Sequence, residues 1–186
     1  MHSFEWIQSA LGIIVGLSMT RIAVSVANCV IARRRIQLDW IPFAWAACIF
    51  VMLLQFSWTL VELNAVVSTW RFGVFLSLLL FVFSLFLGAA LVLPNDESQA
   101  RLSLTKWFDD HGRWSTAFVA MYALLAYAFN WVFWKSNPLS NPASAVIVIL
   151  AIIAFFTRSR RTLSVVSILM LITCGAILGQ MILSDP

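Results

Sequence analysis

Histidine, lysine and acidic side chains are scarce in this chain, and those present mostly avoid its apolar runs. The only histidines, His2 and His111, lie outside the runs, so the paired imidazoles that hold a haem inside a helical bundle are missing. Lys106 and Lys135 also fall between runs, which leaves no buried amine for a retinal Schiff base. No glycine-rich phosphate loop, zinc-protease helix motif or nucleophile elbow occurs. These gaps argue against an enzyme, and no catalytic residue, cofactor or metal is expected. Cys29, Cys48 and Cys174 all sit in apolar runs, and an odd number cannot pair completely. In a hairpin of the first two runs, Cys29 and Cys48 would differ in depth by roughly six residues, about 9 Å, too far for a disulfide. The cysteines therefore read as packing residues.

What is abundant is apolar surface. Of 186 residues 62% are hydrophobic and only 11% charged, far from the balance of a soluble domain. The composition is that of an integral membrane protein, with the lipid bilayer as its main partner. The net charge of +4 resides in short clusters at the ends of runs, a topology signal and no nucleic-acid surface. The opening "MHSFE" has no basic stretch and carries Glu5, so the first run is expected to be retained as a span.

Six apolar segments emerge, at residues 5–31, 40–63, 72–93, 114–134, 142–157 and 162–183. In lipid every backbone N–H and C=O must be bonded internally, and the runs lack barrel alternation, so they are expected to be helices. The expectation is a single-domain all-α, six-helix membrane bundle. With six crossings, one face receives Arg33, Arg34, Arg35, Arg101, Lys106, Arg113, Arg158, Arg160 and Arg161, whereas the other receives Arg71 and Lys135. The positive-inside rule puts the first face in the cytoplasm and both termini outside. Trp6, Trp70, Trp131 and Trp134 near the outer ends, and Trp40, Trp107 and Trp114 near the inner ends, read as interfacial belts. Trp45 and Trp58 lie deeper and are expected to pack between helices. The connection after the third run is expected to form a cytoplasmic interfacial helix over 97–111, capped by Asp96, with Leu104, Trp107, Phe108 and His111 on one face.

Several stretches carry a resemblance. "GLSMTR", "RRRIQLDWIPFAWA", "LLQFSW", "GAALVLP" and "DDHGRW" resemble a family of small bacterial polytopic inner-membrane proteins with no established activity. The resemblance covers about two thirds of the chain and implies an all-helical membrane fold in the bacterial inner membrane. It transfers no site residues.

Four features are candidates for function. Asp109, Asp110 and His111 are consecutive, and helical neighbours diverge by about 100°, so "DDHGR" reads as a solvated helix end, not a metal site. Gly12 and Gly16 form one GxxxG and Gly175 and Gly179 a second, which marks either a homo-oligomer seam or packing within the bundle. Glu62 is the one acidic residue well inside a run. Gln8, Asn130 and Gln180 fall at similar depth, so the four either line an outward-facing polar pocket or Glu62 pairs with Arg71. Arg21 lies about 16 Å before the end of the first run at helical rise, close to mid-membrane, where lipid exposure costs at least about 2.5–3.5 kcal/mol. It must face protein or water, with Gln55 its nearest polar neighbour in depth. The expected function is a small channel or transport subunit with a polar cavity bounded by Arg21, Gln55 and Glu62. The alternative is a non-transporting module that binds lipid or a partner protein.

Overall fold

A computed structural model describes residues 2–34, 36–66, 72–95, 103–133 and 142–184. The described residues are helical apart from short connections: α1 (His2–Ile31) with a 3-10 turn at Ala32–Arg34, α2 (Trp40–Val66), α3 (Phe72–Val92), α4 (Leu104–Trp107), α5 (Arg113–Phe133), α6 (Pro142–Phe156) and α7 (Arg160–Ser184). Four helices are long and apolar enough to cross a membrane, over Glu5–Arg34, Trp40–Val61, Phe72–Val92 and Arg160–Leu183. By length and composition, four of the six expected spans thus qualify. α6 has 15 residues, only about 22 Å of helix against a hydrocarbon core of about 30 Å. α5 is 21 residues long but is diluted by Ser115, Thr116, Tyr122, Tyr127 and Asn130.

The six long helices form a closed ring in which α1, α2, α7, α6, α5 and α3 each touch the next, and α3 returns to α1. α2 also crosses to α3, which makes it the central helix. Half of its membrane-length window is buried, against 28% for α1 and α7. Its interior face carries Trp45, Cys48, Ile49, Met52, Leu53 and Phe56, all at most 2% exposed. The outer surface is as apolar as the core: Leu17, Phe72, Leu80, Ile149, Phe156 and Ile172 are exposed. A water-facing monomer rarely carries apolar patches of this extent, whereas a lipid-facing one must.

α3 and α5 come into contact at Gly88. A Cβ there would lie 3.6 Å from both the Ser115 carbonyl oxygen and Ile49 Cδ1, and the Ser115 hydroxyl donates to the Gly88 carbonyl across the same contact at 2.8 Å. Among the described residues the GxxxG glycines make no close contact inside the chain, because a Cβ at Gly12, Gly16, Gly175 or Gly179 would meet nothing within 4 Å. Spacing alone did not reveal the direction in which those glycines face. Trp45 does pack between helices, donating to the Ser167 hydroxyl of α7 at 3.0 Å, whereas Trp58 is 47% exposed.

The expected interfacial helix takes a different form. Residues 96–102 lie outside the described residues. α4 begins at Leu104 with Ser103 as its cap, passes through a π turn at Phe108–Gly112 and runs straight into α5. Of the anticipated apolar face, Leu104 and Phe108 are fully buried against the protein. Gly112 is required there, since a Cβ would collide with the Phe108 ring that the π turn folds over it.

Candidate functional site

The helices gather polar side chains at two places, one at each end of the bundle. The end that carries the basic loops is cross-linked. Asp39 caps α2 by accepting from the Ile41 N–H at 3.2 Å, accepts from the Thr105 hydroxyl at 3.1 Å and forms an ion pair with Arg160 at the start of α7. The Leu104 N–H donates to the Gln37 carbonyl at 3.2 Å, tying α4 to the same corner. The sequence signal for Asp39 was its position just before Trp40-Ile41-Pro42, an N-cap followed by a first-turn proline.

Arg21 belongs to this end as well. Its Nη2 donates to the Ala90 carbonyl at 3.1 Å, and Ala90 is among the last four residues of α3, whose carbonyls have no partner within their own helix. Trp107 Nε1 donates to the neighbouring Leu91 carbonyl at 3.3 Å, and the Asn28 amide donates to Asn95 at 2.7 Å. A guanidinium is therefore placed at the negative pole of the α3 dipole. α1 runs well past the level at which α3 stops, so Arg21 stands beside the last turn of α3.

The second gathering lies at the opposite end. A cavity of about 520 Å³ opens between α2, α3, α5, α6 and α7, and Gln55, Asn130 and Gln180 all line it. Thr59 and Ser144 add hydroxyls, while Phe56, Phe81, Tyr122 and Phe129 form an aromatic wall. Phe81 stacks on Tyr122 with centroids 4.4 Å apart and meets Phe56 at 5.1 Å. No described lining residue is charged. Asn130 and Gln180, grouped for their depth, and Gln55, singled out as the neighbour of Arg21, thus line one space, whereas among the described residues none of α1, Arg21 and Gln8 included, lines it. The side chain of Glu62 and all of Arg71 lie outside the described residues. Thr59 and Ser144 were missed by sequence reasoning; the signals available were the i, i+4 step from Gln55 to Thr59 and the place of Ser144 in the first turn after Pro142.

Asp109 and Asp110 are exposed beside an exposed His111, and Asp109 pairs with Arg113 at 3.3 Å. Among the described residues no group of three or more His, Cys, Asp or Glu is placed to hold a metal. Comparison of the chain with protein-family models, with curated proteins and with solved structures finds no match.

Proposed function

We propose that this chain is a small transport or channel subunit of a bacterial inner membrane, a six-span bundle with both termini outside, whose outer cavity admits a small polar solute or ion. The observation that carries the reading is the convergence of Gln55, Asn130 and Gln180, from three helices, on one cavity of about 520 Å³. Amides and hydroxyls exposed to hydrocarbon are costly, and their grouping around a space suits a polar occupant. The described lining residues carry no charge, which favours solutes that exchange hydrogen bonds with water for hydrogen bonds with amides. The orientation rests on the nine-to-two division of basic residues, which puts the cavity on the outer side. Oligomerisation through the outward-facing Gly12 and Gly16, or Gly175 and Gly179, fits the same reading.

The test uses Thr59→Cys in proteoliposomes and in sealed cells. The native cysteines are all buried, so an impermeant thiol reagent should spare the wild type. The reagent added from outside should label Cys-substituted Thr59 and reduce permeability to glycerol, urea or potassium by about tenfold, a change of about 1.4 kcal/mol in barrier. Labelling only from the cytoplasmic side would overturn the orientation. Wild-type permeability equal to that of empty liposomes for all three probes would overturn transport.

A second reading, a non-transporting module that holds a lipid chain, has one observation in its favour. An apolar groove of about 210 Å³ lies between α5 and α6, lined by Ala117, Ala120, Met121, Leu124, Ile152 and Phe155 among others. Failure of every permeability probe would leave that reading standing.

A further inference from the structure

Two kinds of surface line the outer cavity. The first is aromatic. Phe56, Phe81 and Tyr122 come from α2, α3 and α5; the Phe81 and Tyr122 rings lie 24° from parallel with centroids 4.4 Å apart, and Phe56 tilts against Phe81 at 53° and 5.1 Å. Phe56 is 2% exposed and Tyr122 6%, so packing holds these rings in place, and a fixed wall has little freedom left to lose when a ligand settles on it. The second surface is polar. The Thr59 hydroxyl is bonded to the Gln55 carbonyl at 3.0 Å, but the side-chain amides of Gln55 and Gln180 form no hydrogen bond to any described residue. Neither does the Tyr122 hydroxyl. A phenol this deeply placed ordinarily has a partner, and the space it borders is the cavity.

Each feature restricts the occupant. A fixed aromatic face favours a flat ring over a puckered one. A side-chain amide carries an acceptor and a donor in one plane, which matches a ring edge that presents N–H beside C=O or ring nitrogen. No described lining residue carries a charge to neutralise an ion. The volume of about 520 Å³ falls within the roughly 300–1,000 Å³ of small-molecule sites, more than urea or a bare cation would fill. We propose that the cavity binds a neutral planar heterocycle with amide-like edges, the chemical class of the nucleobases, its face against the Phe56–Phe81–Tyr122 wall and its edge bonded to Gln55, Gln180 and the Tyr122 hydroxyl. The proposal rests on the reading of this cavity as the solute site. It does not rest on flux, since occupancy is measured at equilibrium.

Radiolabelled uracil is the probe, dialysed to equilibrium against the full chain in detergent. Binding should saturate and be displaced by adenine. Glucose, which offers hydroxyls without a plane, and tetramethylammonium, which offers charge without an edge, should not displace it. Gln55→Leu, Gln180→Leu and Tyr122→Phe, which keeps the ring, should each weaken binding by about fivefold, the scale of one hydrogen bond. Phe81→Leu should weaken it by about tenfold or more. A thiol reagent coupled to the Thr59→Cys variant should abolish binding, since it fills the cavity. Magnetisation transferred from aromatic protein protons to the uracil ring protons in the wild type gives a readout that survives if the Phe81 variant misfolds. A wild type that binds neither uracil nor adenine would overturn the proposal, and permeation of glycerol or urea in the same preparation would show that the transport reading survives it. Full retention by the Gln55→Leu/Gln180→Leu double variant would also overturn it, as would displacement by glucose or tetramethylammonium as readily as by adenine. Saturable binding without flux would uphold the site and remove transport.

Discussion

The two ends of the bundle use polar residues in opposite ways. At the basic end, side chains reach across from one element to another: Asp39 to Thr105 and Arg160, Arg21 to Ala90, Trp107 to Leu91. Toward the opposite end the hydroxyls of Ser57, Thr59 and Ser77 turn back onto carbonyls of their own helices, while Gln55, Asn130 and Gln180 border empty volume. A polar group that bonds another element holds the fold together. One that borders a cavity can also meet an occupant. Substitutions at the basic end should therefore cost stability, and substitutions around the cavity should cost function.

The largest effect is expected at Asp39. Asp39→Ala removes the cap of α2, the acceptor for Thr105 and the ion partner of Arg160 in one step, for a loss of about 3 kcal/mol. Arg160 is 40% exposed, so water screens part of the pair and the cap carries a substantial share. Asp39→Asn keeps a capping oxygen and should lose about half as much. Unfolding of the detergent-solubilised protein measures both. Gln55→Ala, assayed alongside, should be near neutral, and a Gln55 variant as damaging as Asp39→Ala would break the contrast between the ends.

A smaller effect separates two kinds of glycine. Gly88→Leu must force α3 and α5 apart where the Ser115 carbonyl and Ile49 already touch, at about 2 kcal/mol. Gly16→Leu projects into open surroundings and should change the unfolding midpoint by less than about 0.5 kcal/mol. Its effect, if the glycine faces serve assembly, appears in the oligomer profile alone. Equal destabilisation by the two variants would show that the outward glycine also supports the fold.

This pair of glycines shows where the sequence was legible and where it was not. Hydrophobic runs and their boundaries are local properties, so the start of α6 at Pro142 and the ends of α2 and α3 fell close to expectation. Which face of a helix turns inward depends on neighbours that the sequence does not list. Hence Gly12 and Gly16 could mark either a seam or packing within the bundle, whereas Gly88, outside any GxxxG, makes a close contact inside it. The same limit applied to the cavity. Depth along a helix follows from counting, which brought Asn130 and Gln180 to one end and set Gln55 nearer Arg21. Azimuth does not, so counting left open that Gln55 opens into the same space as Asn130 and Gln180 while Arg21 bonds the end of α3. Counting also assumed that all helices stop at one plane, and α1 and α3 do not.

Arg21 gives the smallest and sharpest comparison, because it was expected to act in a cavity and is found bonding a helix end. If its work is to hold the last carbonyls of α3, Arg21→Gln should lose about 1 kcal/mol of stability, the size of a charge at a helix terminus. Arg21→Lys retains the charge but loses the planar fork that addresses the carbonyl, and should fall between wild type and Gln. Neither should alter permeability, since neither touches the cavity wall. Stability by unfolding and flux in liposomes, measured on the same preparations, decide the matter. A Gln variant of native stability with changed ion selectivity would return Arg21 to the conduction path and require the cavity to extend across α1. Parallel losses of stability, with flux intact, would place its charge at the service of α3.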